Sequence, residues 1–119
     1  MMERDPWWYR AKAIRVVDGD TILLEVDLGL RVRTEVSIRV AGVDTPELFT
    51  GTDRQRGAEA KAFTDEWIAF RNIGRWPFLL RTYKDSMSFN RYVADVFDAE
   101  FGGSLADAIR GAGFSKSLT

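Results

Sequence analysis

The 119-residue chain contains no cysteine and no histidine, and only three prolines. Without cysteine it can form neither a disulfide nor a thiolate metal site. Without histidine it has no imidazole ligand, no histidine general base and no Ser-His or Cys-His pair. Any catalysis therefore falls to carboxylates, Arg, Lys, Tyr or a hard cation held by oxygen. No stretch approaches the ~20 apolar residues of a membrane span. The first ten residues place acid and Arg around Trp7, Trp8 and Tyr9 and hold no apolar run of signal length. The expectation is a soluble, intracellular protein with no membrane partner.

A strong excess of either charge is also lacking, since the net charge is −1. That weighs against heavy nonspecific attraction to nucleic acid, which rests on Lys and Arg. Thirteen of the seventeen cations are Arg, however, the residue suited to bidentate phosphate contacts. Where these arginines sit matters more than their sum. With 45% hydrophobic and 29% charged residues, the composition is that of a globular protein, and the length fits one domain spanning 1–119.

Residues 9–17 and 21–28 are β-branched and apolar, and Asp18-Gly19-Asp20 separates them as a hairpin signal does. Ile22, Leu24, Val26 and Leu28 alternate with more polar neighbours, the period of a half-buried strand. Leu28-Gly29-Leu30 offers a second turn. Val32, Val36, Ile38 and Val40 then line one face of a third strand, with Arg31, Arg33, Glu35, Ser37 and Arg39 on the other. Pro46 ends the pattern, and residues 48–56 read as a polar, mobile loop. From Gly57 to about Asn72 the spacing becomes helical, with Ala60, Phe63, Trp67 and Phe70 on one stripe. Strands return at 77–83 and 91–98 across a polar turn from Lys84 to Asn90. Ser104, with Asp107 three residues on, caps a short helix that Gly111 and Gly113 stop. The order β-β-β-α-β-β-α predicts an α+β, mainly β, five-stranded OB-type barrel with one long helix between strands three and four and a short C-terminal helix.

Three clusters are able to carry chemistry. Asp18-Gly19-Asp20-Thr21 is either a plain hairpin turn or a carboxylate, Asp20, offered to a hard cation at the mouth of a strand. The run from Arg39 to Glu47 is either a strand edge closed by a proline turn or an Arg followed by two loop carboxylates, as a metal beside a phosphate requires. Ser88-Phe89-Asn90-Arg91-Tyr92 is either a hairpin with a solvated Arg or the source of a second guanidinium for that phosphate.

Taken together, Val17-Asp18-Gly19-Asp20-Thr21, Arg39 with Val43-Asp44-Thr45-Pro46-Glu47, Gly57-Ala58-Glu59-Ala60 and Phe89-Asn90-Arg91 resemble the staphylococcal nuclease (thermonuclease) family. They do so in family order over roughly residues 9–114. The resemblance implies a calcium-dependent nuclease that hydrolyses DNA or RNA and leaves 3′-phosphate products. It implies that Asp20 and Asp44 bind Ca2+ through carboxylates and Thr45 through its backbone carbonyl, with Asp18 an acid close by. By the same match Glu47 orients or deprotonates the attacking water, and Arg39 and Arg91 bind and polarise the phosphate.

The chain departs from that family at its end. The archetype continues into a third helix, whereas here Thr119 follows Gly113 by six residues. Trp7, Trp8 or a second subunit in a homodimer would supply the missing cover. The archetype's late aromatic beside the nucleotide is missing too, and Tyr83, Lys84 and Tyr92 are the substitutes expected to touch substrate. The partner expected is nucleic acid, single-stranded or locally unpaired. The competing reading is an inactive barrel of the same kind that binds nucleic acid or protein.

Overall fold

The computed structural model describes residues 7–46, 54–88 and 91–115, apart from the side chains of residues 84–88 and 91. Five strands, β1 (Trp7–Asp18), β2 (Thr21–Gly29), β3 (Val32–Val40), β4 (Phe78–Ser88) and β5 (Arg91–Asp98), close into a barrel in the order β1-β2-β3-β5-β4. Helix α1 (Arg54–Arg71) joins β3 to β4, and α2 (Leu105–Gly111) follows β5. The pairings are antiparallel except for β3 on β5, where Ile38 meets Tyr92 and Arg39 meets Val93 in parallel register. This is the OB-type α+β architecture that the element order predicts.

Alternation builds the interior. Ile22 and Leu24 from β2, Ile38 and Val40 from β3, Phe78 and Leu80 from β4 and Ala94 and Val96 from β5 are all essentially inaccessible. Each large aliphatic or aromatic side chain buried this way contributes roughly 1.5–3 kcal/mol. Helix α1 packs beside β1 through Gly57, Ala60, Thr64, Trp67 and Ile68, and Trp67 stacks on Phe78 with ring centroids 6.0 Å apart. Ser104 caps α2 as expected, its hydroxyl accepting from the Asp107 N–H at 3.2 Å.

Four expectations shift. Helix α1 begins at Arg54, so 54–56 are helical rather than loop, while 47–53 lie outside the described residues. Phe70 leaves the buried stripe and is 73% exposed. At 3.6 residues per turn it has drifted about 80° from Ala60, and Thr64 and Ile68 take the buried face instead. Val32 is 52% exposed, because it sits at the far tip of the β2–β3 hairpin where no other element covers it. Strand β4 runs on to Ser88, which pairs with Arg91, so the polar segment expected as turn is mostly strand.

The second turn closes as Leu30-Arg31, with Gly29 paired to Val32. Both turn residues have positive φ, 54° and 66°. Two-residue hairpin turns favour that geometry because it matches strand twist, and they normally place Asn or Gly there. An ordinary side chain in the left-handed region costs about 1–2 kcal/mol. Leu30 is 98% exposed, so no packing offsets the strain.

Candidate functional site

The site assembles where the β1–β2 turn, the end of β3 and the loop after it meet. Asp20 closes the β1–β2 turn just before β2 and is 6% exposed. Its Oδ1 accepts from the Thr21 hydroxyl at 3.1 Å, and its Oδ2 accepts from the Thr45 backbone N–H and from Arg39 Nη2, each at 3.2 Å. The same Arg39 nitrogen donates to Asp44 Oδ1 at 3.0 Å. Two carboxylates separated by a strand and its return therefore converge on one guanidinium nitrogen. Cross-strand pairing holds it there, since Thr21 is the register partner of Arg39 and the Val40 N–H donates to the Asp20 carbonyl at 2.8 Å.

Glycine is required at position 19. A Cβ there would lie 2.8 Å from Thr45 Oγ1 and 2.9 Å from the Ala60 Cβ. The bare backbone lets both the post-β3 loop and α1 close onto the turn, and the Thr64 hydroxyl of α1 fastens it by donating to the Gly19 carbonyl at 2.6 Å. Helix α1 thus positions Asp20 from behind.

The loop is held from its other side by the C-terminal segment. The Asp44 N–H donates to Ser115 Oγ at 3.1 Å, and Arg110 Nη1 donates to the Gly42 carbonyl at 3.0 Å. Phe114 docks on Phe63 at 5.6 Å beneath the Arg56 guanidinium. Thr64, Arg110 and Ser115 are site-forming residues that sequence reasoning passed over. Only Arg110, a cation in the last turn of α2, carried even a local signal.

Thr45 is 2% exposed, and its hydroxyl oxygen has no hydrogen-bond partner among the described residues. Asp20, Asp44 and Thr45 together form an oxygen-only donor set around a position already favourable to positive charge, as Arg39 demonstrates. Such a set fits a hard divalent cation and not a soft metal. Among the described residues no third acidic side chain joins the pair, so further ligands would be backbone or water oxygens or Glu47, which lies outside the described residues.

Of the remaining expected residues, Arg91 opens β5 two positions before Val93, the register partner of Arg39. Its side chain and that of Lys84 are outside the description. Tyr83 and Tyr92 stand apart from the carboxylates, at the open mouth of the barrel. With Trp7 and Tyr9 they rim a mainly apolar cavity of about 290 Å³. Trp7 is thus at the mouth, whereas Trp8 packs outside against Phe97 at 5.7 Å. The Tyr83 hydroxyl donates to Asp95 Oδ2 at 2.6 Å, and that hydrogen bond, helped by burial, pushes its pKa up. Arg81 shares the same carboxylate, which raises its pKa in turn.

No helix among the described residues is long and apolar enough to cross a membrane. No protein-family model matches the chain, and no curated protein matches it.

Proposed function

We propose that this chain is a calcium-dependent phosphodiesterase of the staphylococcal nuclease kind, hydrolysing DNA or RNA to 3′-phosphate and 5′-hydroxyl ends. One observation carries the reading. Asp20, Arg39 and Asp44, the residues that the motifs single out, meet within 3.2 Å at one partly open position on the barrel wall.

Asp20, Asp44 and the Thr45 carbonyl are the groups that would hold the ion. Bound there, calcium supplies positive charge beside a phosphate oxygen. Arg39 is tied to both carboxylates and has to release them to face the phosphate. Together with Arg91 it stabilises the charge that grows on the five-coordinate transition state, where electrostatic catalysis gains most. Glu47 directs the attacking water and takes its proton. The new bond is water oxygen to phosphorus, the bond broken is phosphorus to O5′, and a proton passes to the leaving oxygen.

Arg39→Ala and Arg91→Ala each test this directly. Loss of one such donor lowers turnover by about 10²–10³-fold, with the circular dichroism of a folded barrel retained. Near-normal turnover in either variant would sink the assignment.

A further inference from the structure

Three unpaired arginines gather away from this site. At the tip of the β2–β3 hairpin a polar recess of about 410 Å³ is bordered by Arg31 and Arg33 from the hairpin and Arg75 from the loop entering β4. None of the three has an ion-pair or hydrogen-bond partner among the described residues. Arg39, Arg56, Arg71, Arg81 and Arg110 all do. Asp27 is the one carboxylate on the border, and its Oδ1 already accepts from the Gly29 N–H at 2.8 Å. Three guanidinium groups against one carboxylate leave +2 here, on a chain whose total is −1. Trp76 forms part of the wall, and Leu30 projects from the strained turn into solvent. That turn keeps Leu and Arg where Asn and Gly would relax the backbone, so stability does not explain its residues.

We propose that the Arg31–Arg33–Arg75 recess docks the phosphate backbone of single-stranded nucleic acid, with Trp76 and Leu30 meeting its bases. Planar guanidinium forks suit phosphate oxygens, and aromatic and apolar surface beside them suits unpaired bases. Along the hairpin Arg33 lies about 20 Å and Arg31 about 26 Å from Arg39, six and eight residues at ~3.3 Å each. On the outward face between them Glu25 stands opposite Glu35, so no continuous basic track joins the recess to Arg39 along the hairpin. A dinucleotide fits at the Arg39 end alone. A strand of a dozen nucleotides, within the ~4–16 that one OB barrel holds, reaches both.

The choice of polyanion rests on the nucleic-acid reading above, and the test keeps the two apart. Binding of a fluorescein-labelled 12-nucleotide single strand is followed by anisotropy in EGTA, where no cleavage intervenes, across a salt series. R31Q/R33Q/R75Q should weaken binding at least tenfold at low salt. It should also flatten the slope of log K against log salt by about 2, three contacts at ~0.7 per phosphate. R15Q/R54Q/K61Q, which removes the same charge elsewhere, should change the slope far less, and both variants should melt near the parent temperature. An unchanged slope in the first variant, or an equal loss in both, overturns the proposal. So does binding to anionic lipid vesicles without binding to the oligonucleotide. Recess-dependent binding by a chain that never cuts would leave this site standing and remove the nuclease reading. Cutting with a recess-independent slope would do the reverse.

Discussion

Arg39 Nη2 lies 3.2 Å from Asp20 Oδ2, a contact between residues nineteen apart that fixes where the positive charge of this site rests. The same nitrogen reaches Asp44, so the guanidinium is the internal counter-ion of two carboxylates. A cation entering the site competes with it. Arg39→Gln should therefore lower stability in EGTA by about 1.5–3 kcal/mol, the worth of a hydrogen bond to a charged group. Its thermal midpoint should then rise more on adding calcium than that of the parent, since ligand binding to the folded state stabilises it. Thermal melts with and without calcium measure this. An equal or smaller calcium shift in the variant would mean that Arg39 and the ion do not share those carboxylates.

Gly19 tests the packing behind the site. Alanine there must push Thr45 or Ala60 away from contacts under 3.0 Å. Overpacking of this kind costs roughly 1–3 kcal/mol. Urea denaturation of Gly19→Ala should show that loss, and the calcium-induced stabilisation should shrink with it, because the displaced Thr45 N–H is a partner of Asp20. Parent-like stability would show that the turn has slack.

Thr45→Val replaces a buried hydroxyl that has no partner among the described residues. Removing an unsatisfied polar group while keeping its shape returns about 1–3 kcal/mol of desolvation. The variant should melt higher than the parent in EGTA. A lower midpoint would reveal a hydrogen bond to that oxygen from residues outside the described ones.

The Tyr83–Asp95 bond gives a pH signature. Its phenol is held in the neutral form, so its folded pKa lies above the ordinary value near 10. The contribution of this contact to stability is complete below that ordinary value and is lost as pH rises through the elevated one. Absorbance titration of the phenolates should contain a late phase, and Asp95→Asn should remove it. Superimposable titrations of the two proteins would contradict the bond.

Much of the barrel was legible because period-two burial leaves its mark at adjacent positions: Ile22 and Leu24, Ile38 and Val40 read as strands from their spacing alone. Phe70 misled because a hydrophobic residue at the end of a helical stripe looks the same whether or not the barrel reaches it. The extension of β4 to Ser88 is hidden because residues 84–88 are mostly polar, and the pairing of Met87 with Tyr92 and Ser88 with Arg91 follows a register shift that local sequence does not disclose. Asp20, Arg39 and Asp44 were legible as motif residues, but their shared contact was not. The Thr64 bond to the Gly19 carbonyl, the Ser115 bond to the Asp44 N–H and the meeting of Arg75 with Arg31 and Arg33 join segments 40 or more residues apart. No local pattern encodes such distances.

Hydrolysis of single-stranded DNA and RNA in calcium, with EGTA and a Glu47→Gln variant as controls, separates an enzyme from a binding module. Calcium-dependent cleavage to 3′-phosphate ends, abolished by EGTA and reduced by orders of magnitude in the variant, is the expected result. No cleavage by a folded, calcium-binding barrel would contradict it and leave a binding module in place of an enzyme.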